Sequence, residues 1–223
     1  MNSYAKSKPI LEPTPVSIRR IKNELKKFSK DRVSYYQVIQ DIDNTHLFYF
    51  IFRGNDDTVY KNGLYIGKIV FPHTYPDNAP SFFMLTPSGR FTINSEICMT
   101  NSRYHPESWN PIWGIRTILE GLFSTFLVDE TGGISHIKDT PANRKRMAAN
   151  SFNFNMTKHP QIMKRFDQYV NEDGSCRIEE KSINEYIGSL KKALKDKKKM
   201  EKKELKKKEK KEKKEKKEKK EKK

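Results

Sequence analysis

Apolar residues fall into helical stripes at both ends of a series of short β-like runs. Thr14-Pro15 reads as an N-cap followed by proline at the first helical position. Ile18, Ile21, Leu25 and Phe28 then recur at three- and four-residue spacing, which predicts a helix burying that face. Its other face is basic, with Arg19, Arg20, Lys22, Lys26 and Lys27: either a solvated surface or a dock for an acidic partner. Four runs rich in Val, Ile, Tyr and Phe come next: Val33–Gln40, His46–Arg53, Leu64–Phe71 and Ser81–Leu85. Turn signals divide them at Asp41-Ile42-Asp43-Asn44, Gly54-Asn55-Asp56-Asp57, Asn62-Gly63 and the proline-bearing stretch from Pro72 to Pro80. Successive short strands with no helix between them predict an antiparallel meander whose inner face the helices cover.

The most regular stripe is Ile115, Ile118, Leu119, Leu122, Phe123 and Phe126, which predicts a central helix against the sheet. Gly132-Gly133 ends it, and further helices are expected over Ala142–Phe152 and Gln161–Asn171. The fold class expected is therefore α+β, with one main domain over residues 12–172 and an extra amphipathic segment over 173–194. Residues 195–223 are a low-complexity Lys/Glu tail in which KKE repeats every three residues, a period that holds no face of a 3.6-residue helix.

Charge changes this picture only at the tail. Nineteen lysines against eight acidic residues from Lys195 onward supply +11 of the +17 formal charge, so residues 1–194 carry only +6. The tail suits nuclear import, nucleic acid or another acidic surface, or simple solubilisation. No run of eighteen apolar residues exists to span a membrane, and the first ten residues lack the apolar centre of a secretion signal. Two cysteines at unlike positions make no disulfide framework, which points to a reducing compartment, cytoplasmic or nuclear.

Between the fourth strand and the central helix lies a long stretch rich in Ser, Thr, Asn and Pro that holds Cys98 and both tryptophans. Phe91, Ile93, Ile97, Trp109 and Trp113 give it something to pack with, so it reads as an ordered, functional loop. An unpaired cysteine is either a small buried hydrophobe or a nucleophile; here a packed loop presenting Cys98 as nucleophile is the expectation. His105, seven residues on, is either a base near neutrality or a loop residue packed on Trp109. The two are too near in sequence to infer a catalytic pair of the protease kind, and no orienting residue is recognisable. Cys176, in EDGSC, has no assigned role.

Several spaced motifs resemble the ubiquitin-conjugating enzymes. GLYIGKIVFPHTYPDNAPSFFMLTP resembles that family's third strand, Pro-rich turn and fourth strand. A cysteine shortly beyond the closing proline, within ICM, resembles the active-site context, and WNPIW resembles the opening of the central helix. TPSGRF with YHPESWNP, and later RMAANSFNFN, is most similar to the endoplasmic-reticulum-associated branch, which carries Thr-Pro where most members carry His-Pro. That branch normally ends in a membrane anchor, whereas this chain ends in lysines.

The resemblance implies that an activating enzyme, using ATP, loads ubiquitin onto Cys98 as a thioester. The acyl group then passes to a lysine, or a Ser or Thr, of a protein substrate, often with a ligase. No metal or bound cofactor is implied. Where most relatives carry an asparagine thought to stabilise the oxyanion, this chain has Ser88, which is either a replacement donor or a plain turn residue. Asn94 and Asn101 are the other candidate supports, alongside His105. The resemblance also implies activating-enzyme contact through Arg19, Arg20, Lys22, Lys26 and Lys27. Ligase contact is implied through Asp77, Asn110, Pro111 and Ile112, with Asp77 standing where an aromatic is usual. Two rival functions stay open: an inactive relative that binds ubiquitin or a ligase as a scaffold, and a polyanion-binding protein acting through its tail.

Overall fold

Strand β2 (Leu47–Arg53) and strand β3 (Leu64–Val70) pair antiparallel at the centre of the sheet, with Phe50 opposite Gly67 and Phe52 opposite Tyr65. Flanking them are β1 (Tyr36–Gln40) and β4 (Ser81–Met84), giving the antiparallel order β1-β2-β3-β4 of a simple meander. This is a computed structural model, and it describes residues 12–30, 36–127, 133–167, 169 and 170. All of them belong to one compact unit, Met1–Ile178; a second unit, Glu179–Lys223, lies outside the described residues. The expected segments 173–194 and 195–223, Cys176, Gly132 and the start of the first expected strand also fall outside them.

Both faces of the central strands are covered, not one. Phe52 meets Phe123 and Phe126 of α2 (Ile115–Leu127) at 5.4 and 4.9 Å between ring centres, and Tyr65 meets Phe126 at 5.7 Å. On the opposite face Ile51, Leu64 and Ile66 join Leu85, Met163, Phe166 and Val170 in a second apolar cluster. Every residue of the predicted α2 stripe is buried, and each such Leu, Ile or Phe contributes about 1.5–3 kcal/mol relative to exposure. Gly67 is required by its partner: a Cβ there would lie 2.1 Å from the Phe50 ring.

Helix α1 (Pro15–Lys30) turns differently from its predicted stripe. Ser17, Ile21 and Glu24 face inward while Ile18 stays 47 % exposed. The displacement has a polar cause. The Ser17 hydroxyl and His46 Nε2 lie 2.7 Å apart, and Glu24 Oε1 accepts a 3.0 Å hydrogen bond from the Tyr75 hydroxyl. Two hydrogen-bonded anchors therefore override an apolar spacing that would have turned Ile18 inward.

Helix α3 (Pro141–Lys158) is longer than its predicted span, and α4 (Pro160–Arg165) is shorter. The buried stripe of α3 is Arg144, Ala148, Ser151 and Asn155, which no apolar periodicity marks. It docks by hydrogen bonds. The Leu64 N–H donates to Ser151 Oγ at 2.8 Å, and Asn155 Nδ2 donates to the Leu64 carbonyl at 2.8 Å. Thr86 Oγ1 donates to Asn155 Oδ1 at 2.6 Å and accepts from the Ile66 N–H at 2.8 Å. Thr86 and Asn155 are fully buried, so every one of these groups depends on its partner.

Thr86→Val keeps the shape and removes the hydroxyl, stranding the Ile66 N–H and the Asn155 carbonyl. A loss of about 2–4 kcal/mol is expected from two buried unsatisfied groups, whereas Thr86→Ser should retain most of the stability. Urea denaturation measures both, and equal midpoints for Thr86→Val and the native chain would refute the network's importance.

Candidate active site

The connector from β4 to α2 brings Cys98 and His105 together by two successive turns. The Ser102 N–H donates to the Met99 carbonyl at 2.9 Å, and the His105 N–H donates to the Ser102 carbonyl at 3.0 Å. Ser102 Oγ, fully buried, locks the first turn by donating to the same Met99 carbonyl at 2.7 Å. His105 Nε2 consequently lies 3.2 Å from Cys98 Sγ. Pro106 opens a short 3-10 turn, Pro106–Ser108, which returns Glu107 so that its Oε1 lies 3.0 Å from His105 Nδ1. Hydrogen bonds from its own backbone N–H and from His105 hold the Glu107 carboxyl below its ordinary range. Cys98 is half-buried, while the side chains of His105 and Glu107 are 42 % and 68 % exposed.

The backbone of Cys98 is held from the other side. Its N–H donates to the Ile134 carbonyl at 3.2 Å, and its carbonyl accepts from His136 Nε2 at 3.1 Å. Arg90 Nη1 stands 3.1 Å from His136 Nδ1. A guanidinium can only donate, so Nδ1 accepts and the proton sits on Nε2, where the Cys98 carbonyl needs it. Burial pushes the His136 pKa down, and Arg90 adds to that against the opposing bond to Cys98.

The other candidate supports are engaged elsewhere. Ser88 is fully buried and its Oγ accepts from the Arg90 N–H at 3.2 Å, the turn role that was one of its two readings. Asn101 Nδ2 donates to the Ile118 carbonyl in α2 at 3.1 Å, and a Cβ on Gly121 would come within 2.5 Å of that same nitrogen. Asn94 is exposed in a left-handed conformation, φ 56°, with its N–H donating to the Met84 carbonyl at 2.8 Å. Of the loop's apolar anchors, Phe91 and Ile97 are buried, but Ile93 is 36 % exposed. Trp109 packs on Tyr75 and Trp113 at ring-centre distances of 6.2 and 5.7 Å, and the partners of His105 are Cys98 and Glu107.

The remaining candidates lie on two other surfaces. Trp109 Nε1 donates to the Pro76 carbonyl at 2.7 Å, tying the Pro-rich turn with Asp77 to the loop carrying Asn110, Pro111 and Ile112. Ile112 is 78 % exposed there. On α1, Arg19, Lys22, Lys26 and Lys27 are exposed, but Arg20 departs from the expected basic face. Its Nε donates to Glu24 and its Nη2 to the Trp113 carbonyl at 3.1 Å, so it belongs to the junction between α1 and the loop. Among the described residues no group of three or more His, Cys, Asp or Glu is placed to hold a metal ion, and no helix is long and apolar enough to cross a membrane.

The family model of ubiquitin-conjugating enzymes matches residues 20–164, which includes the whole of this centre. The chain belongs to the ubiquitin-conjugating enzyme family. It is 34 % identical over 155 residues to ubiquitin-conjugating enzyme E2 6 of Eremothecium gossypii, covering 70 % of this chain and 64 % of that protein. It is 33 % identical over 168 residues to ubiquitin-conjugating enzyme E2 34 of Arabidopsis thaliana, covering 75 % and 70 %. With ubiquitin-conjugating enzyme E2 J2 of Homo sapiens the identity is 33 % over 154 residues, covering 69 % and 59 %. The chain thus spans roughly three fifths to seven tenths of the length of these relatives.

In this member of the family three residues of the centre escaped sequence reasoning. Glu107 was readable in principle, because His105-Pro106-Glu107 sets a carboxylate two positions from the imidazole. His136 and Arg90 left no local signal, since His136 reaches Cys98 across 38 positions and Arg90 reaches His136 across 46.

Two histidines, the buried His46 and the half-buried His136, set a pH window. The pKa values of His46 and His136 are both depressed below the ordinary 6.5, mainly by burial. The unfolded chain therefore takes up protons first as pH falls, so stability is full above about 6.5 and declines through the folded values. Urea midpoints at pH 7.5 and 5.5 should differ in that direction, and His46→Gln with His136→Gln should flatten the slope. An unchanged slope in the double variant would assign the acid sensitivity elsewhere.

Proposed function

We propose that this protein accepts ubiquitin from an activating enzyme as a thioester on Cys98 and passes it to a nucleophile of a protein substrate. The observation that carries the reading is a half-buried thiol 3.2 Å from an imidazole nitrogen, inside the region matched by the family. In loading, the Cys98 sulfur attacks the activated C-terminal carbonyl of ubiquitin. The S–C bond to Cys98 forms, the S–C bond to the activating enzyme's own cysteine breaks and releases that thiolate, and the Cys98 thiol proton goes to His105. In transfer, a substrate amine or hydroxyl attacks the thioester carbonyl, the new C–N or C–O bond forms, the nucleophile's proton goes to His105, and the C–S bond breaks to release Cys98 as thiolate. A thiolate is both a strong nucleophile and a good leaving group, which suits one sulfur to both steps.

The same reading assigns Arg19, Lys22, Lys26 and Lys27 to the activating enzyme, and Asp77, Asn110, Pro111 and Ile112 to a ligase. ATP enters only through the activating enzyme. An unpaired reactive thiol suits the reducing cytoplasm or nucleus. The scaffold alternative draws on Ser88, whose hydroxyl serves a turn where relatives are expected to carry an asparagine; a loading assay separates the two.

With activating enzyme, ATP and ubiquitin, a thiol-sensitive adduct is expected on the native chain. Cys98→Ser should give a thiol-resistant ester and Cys98→Ala nothing. An adduct persisting in Cys98→Ala, or none on the native chain, would sink the reading. His105→Ala should slow single-turnover discharge to lysine and to serine or threonine by about 10²-fold, the lower range for a general base. Discharge unchanged toward both nucleophiles would remove His105 from the chemistry.

A further inference from the structure

We propose that Glu107 is a positioning residue that fixes the tautomer and orientation of His105, so that its Nε2 lone pair faces the Cys98 thiol. Three observations converge. His105 Nδ1 is 3.0 Å from Glu107 Oε1, and a carboxylate can only accept, so Nδ1 carries the proton. Nε2, 3.2 Å from Cys98 Sγ, is then the basic nitrogen. Both side chains are partly exposed, at 42 % and 68 %, and the hydrogen bond between them fixes the ring on its Nδ1 side.

The second consequence is electrostatic. When the thiol proton moves to Nε2, the product pair is thiolate and imidazolium, and the Glu107 carboxylate stands against the new cation. The S–H bond breaks, Nε2–H forms, and the electron pair stays on sulfur. Exposure then lets the imidazolium return its proton to water, restoring the base before the incoming nucleophile must lose its own. One ring can thus serve loading and transfer in turn.

Other ionisable groups surround this pair. His136 donates to the Cys98 carbonyl with Arg90 behind it, and Arg103 Nε pairs with Glu96 Oε1 at 2.8 Å on the same loop. His136 and Arg90 engage the backbone of Cys98 rather than its sulfur, and Arg103 has its own carboxylate. Glu107 is the acidic group bonded to the His105 ring.

The purpose of Glu107 rests on the acyl-transfer reading above, whereas thiol reactivity can be followed without ubiquitin. Carbamidomethylation of Cys98 by iodoacetamide, read by peptide mass spectrometry to separate it from Cys176, gives a pH–rate profile on the full chain. Glu107→Ala should shift that profile upward by about one pH unit, about tenfold in rate near neutrality. Glu107→Asp should recover most of the rate. In a His105→Ala background, Glu107→Ala should add nothing, because it acts only through the ring. A Glu107→Ala profile superimposed on the native one, or an additive effect without His105, overturns the assignment. A chain whose alkylation behaves as expected but which forms no thioester refutes the acyl-transfer reading and leaves the placement of Glu107 standing.

Discussion

The connector between β4 and α2 has no strand ladder of its own to satisfy its backbone, and the active centre follows from that constraint. Buried N–H and C=O groups need partners wherever the chain leaves regular structure. Here side chains and short bridges supply them. Ser102 closes the Met99 turn, Asn101 takes the Ile118 carbonyl, Trp109 takes the Pro76 carbonyl and His136 takes the carbonyl of Cys98. Each of these bonds satisfies a backbone group and also fixes a position. The sulfur is immobilised through its main chain on one side and meets a base on the other.

A single carboxylate organises the next layer. Glu24 is buried and accepts from Arg20, from the Tyr75 hydroxyl and from the Ile115 N–H that opens α2. A negative charge at a helix N-terminus answers both the orphan amide and the positive end of the dipole. Burial and the neighbouring Glu24 carboxylate push the Tyr75 phenol far above its usual range, so it stays a neutral donor. The Pro-rich turn, α1 and the start of α2 are thereby joined at one point.

The sequence made some of this legible because its apolar spacing was unopposed. The α2 stripe from Ile115 to Phe126 and the four strands are such cases, each found within a few residues of its observed bounds. Legibility failed where polar groups did the docking. Ser17 and Glu24 rotate α1 away from its Ile18 stripe, and α3 is seated by Ser151 and Asn155, which no hydrophobic period registers. The site divided in the same way. Cys98 and His105 were visible as residues, but only the turns through Met99 and Ser102 make them neighbours. Glu107 and His136 carry meaning only once those turns exist.

The contact between Gly121 and Asn101 has a consequence for how such a chain can drift. Glycine inside a helix costs about 1 kcal/mol against alanine, yet a methyl group at 121 would strike the Asn101 amide at 2.5 Å. The helix tolerates its weakest residue so that the loop's amide can lie flat on it. A side chain at 121 would turn the Asn101 amide aside, and that movement gives up the tether to the Ile118 carbonyl. Variation at these two sites is therefore expected to be correlated, a pairwise record left in lineages by one close approach.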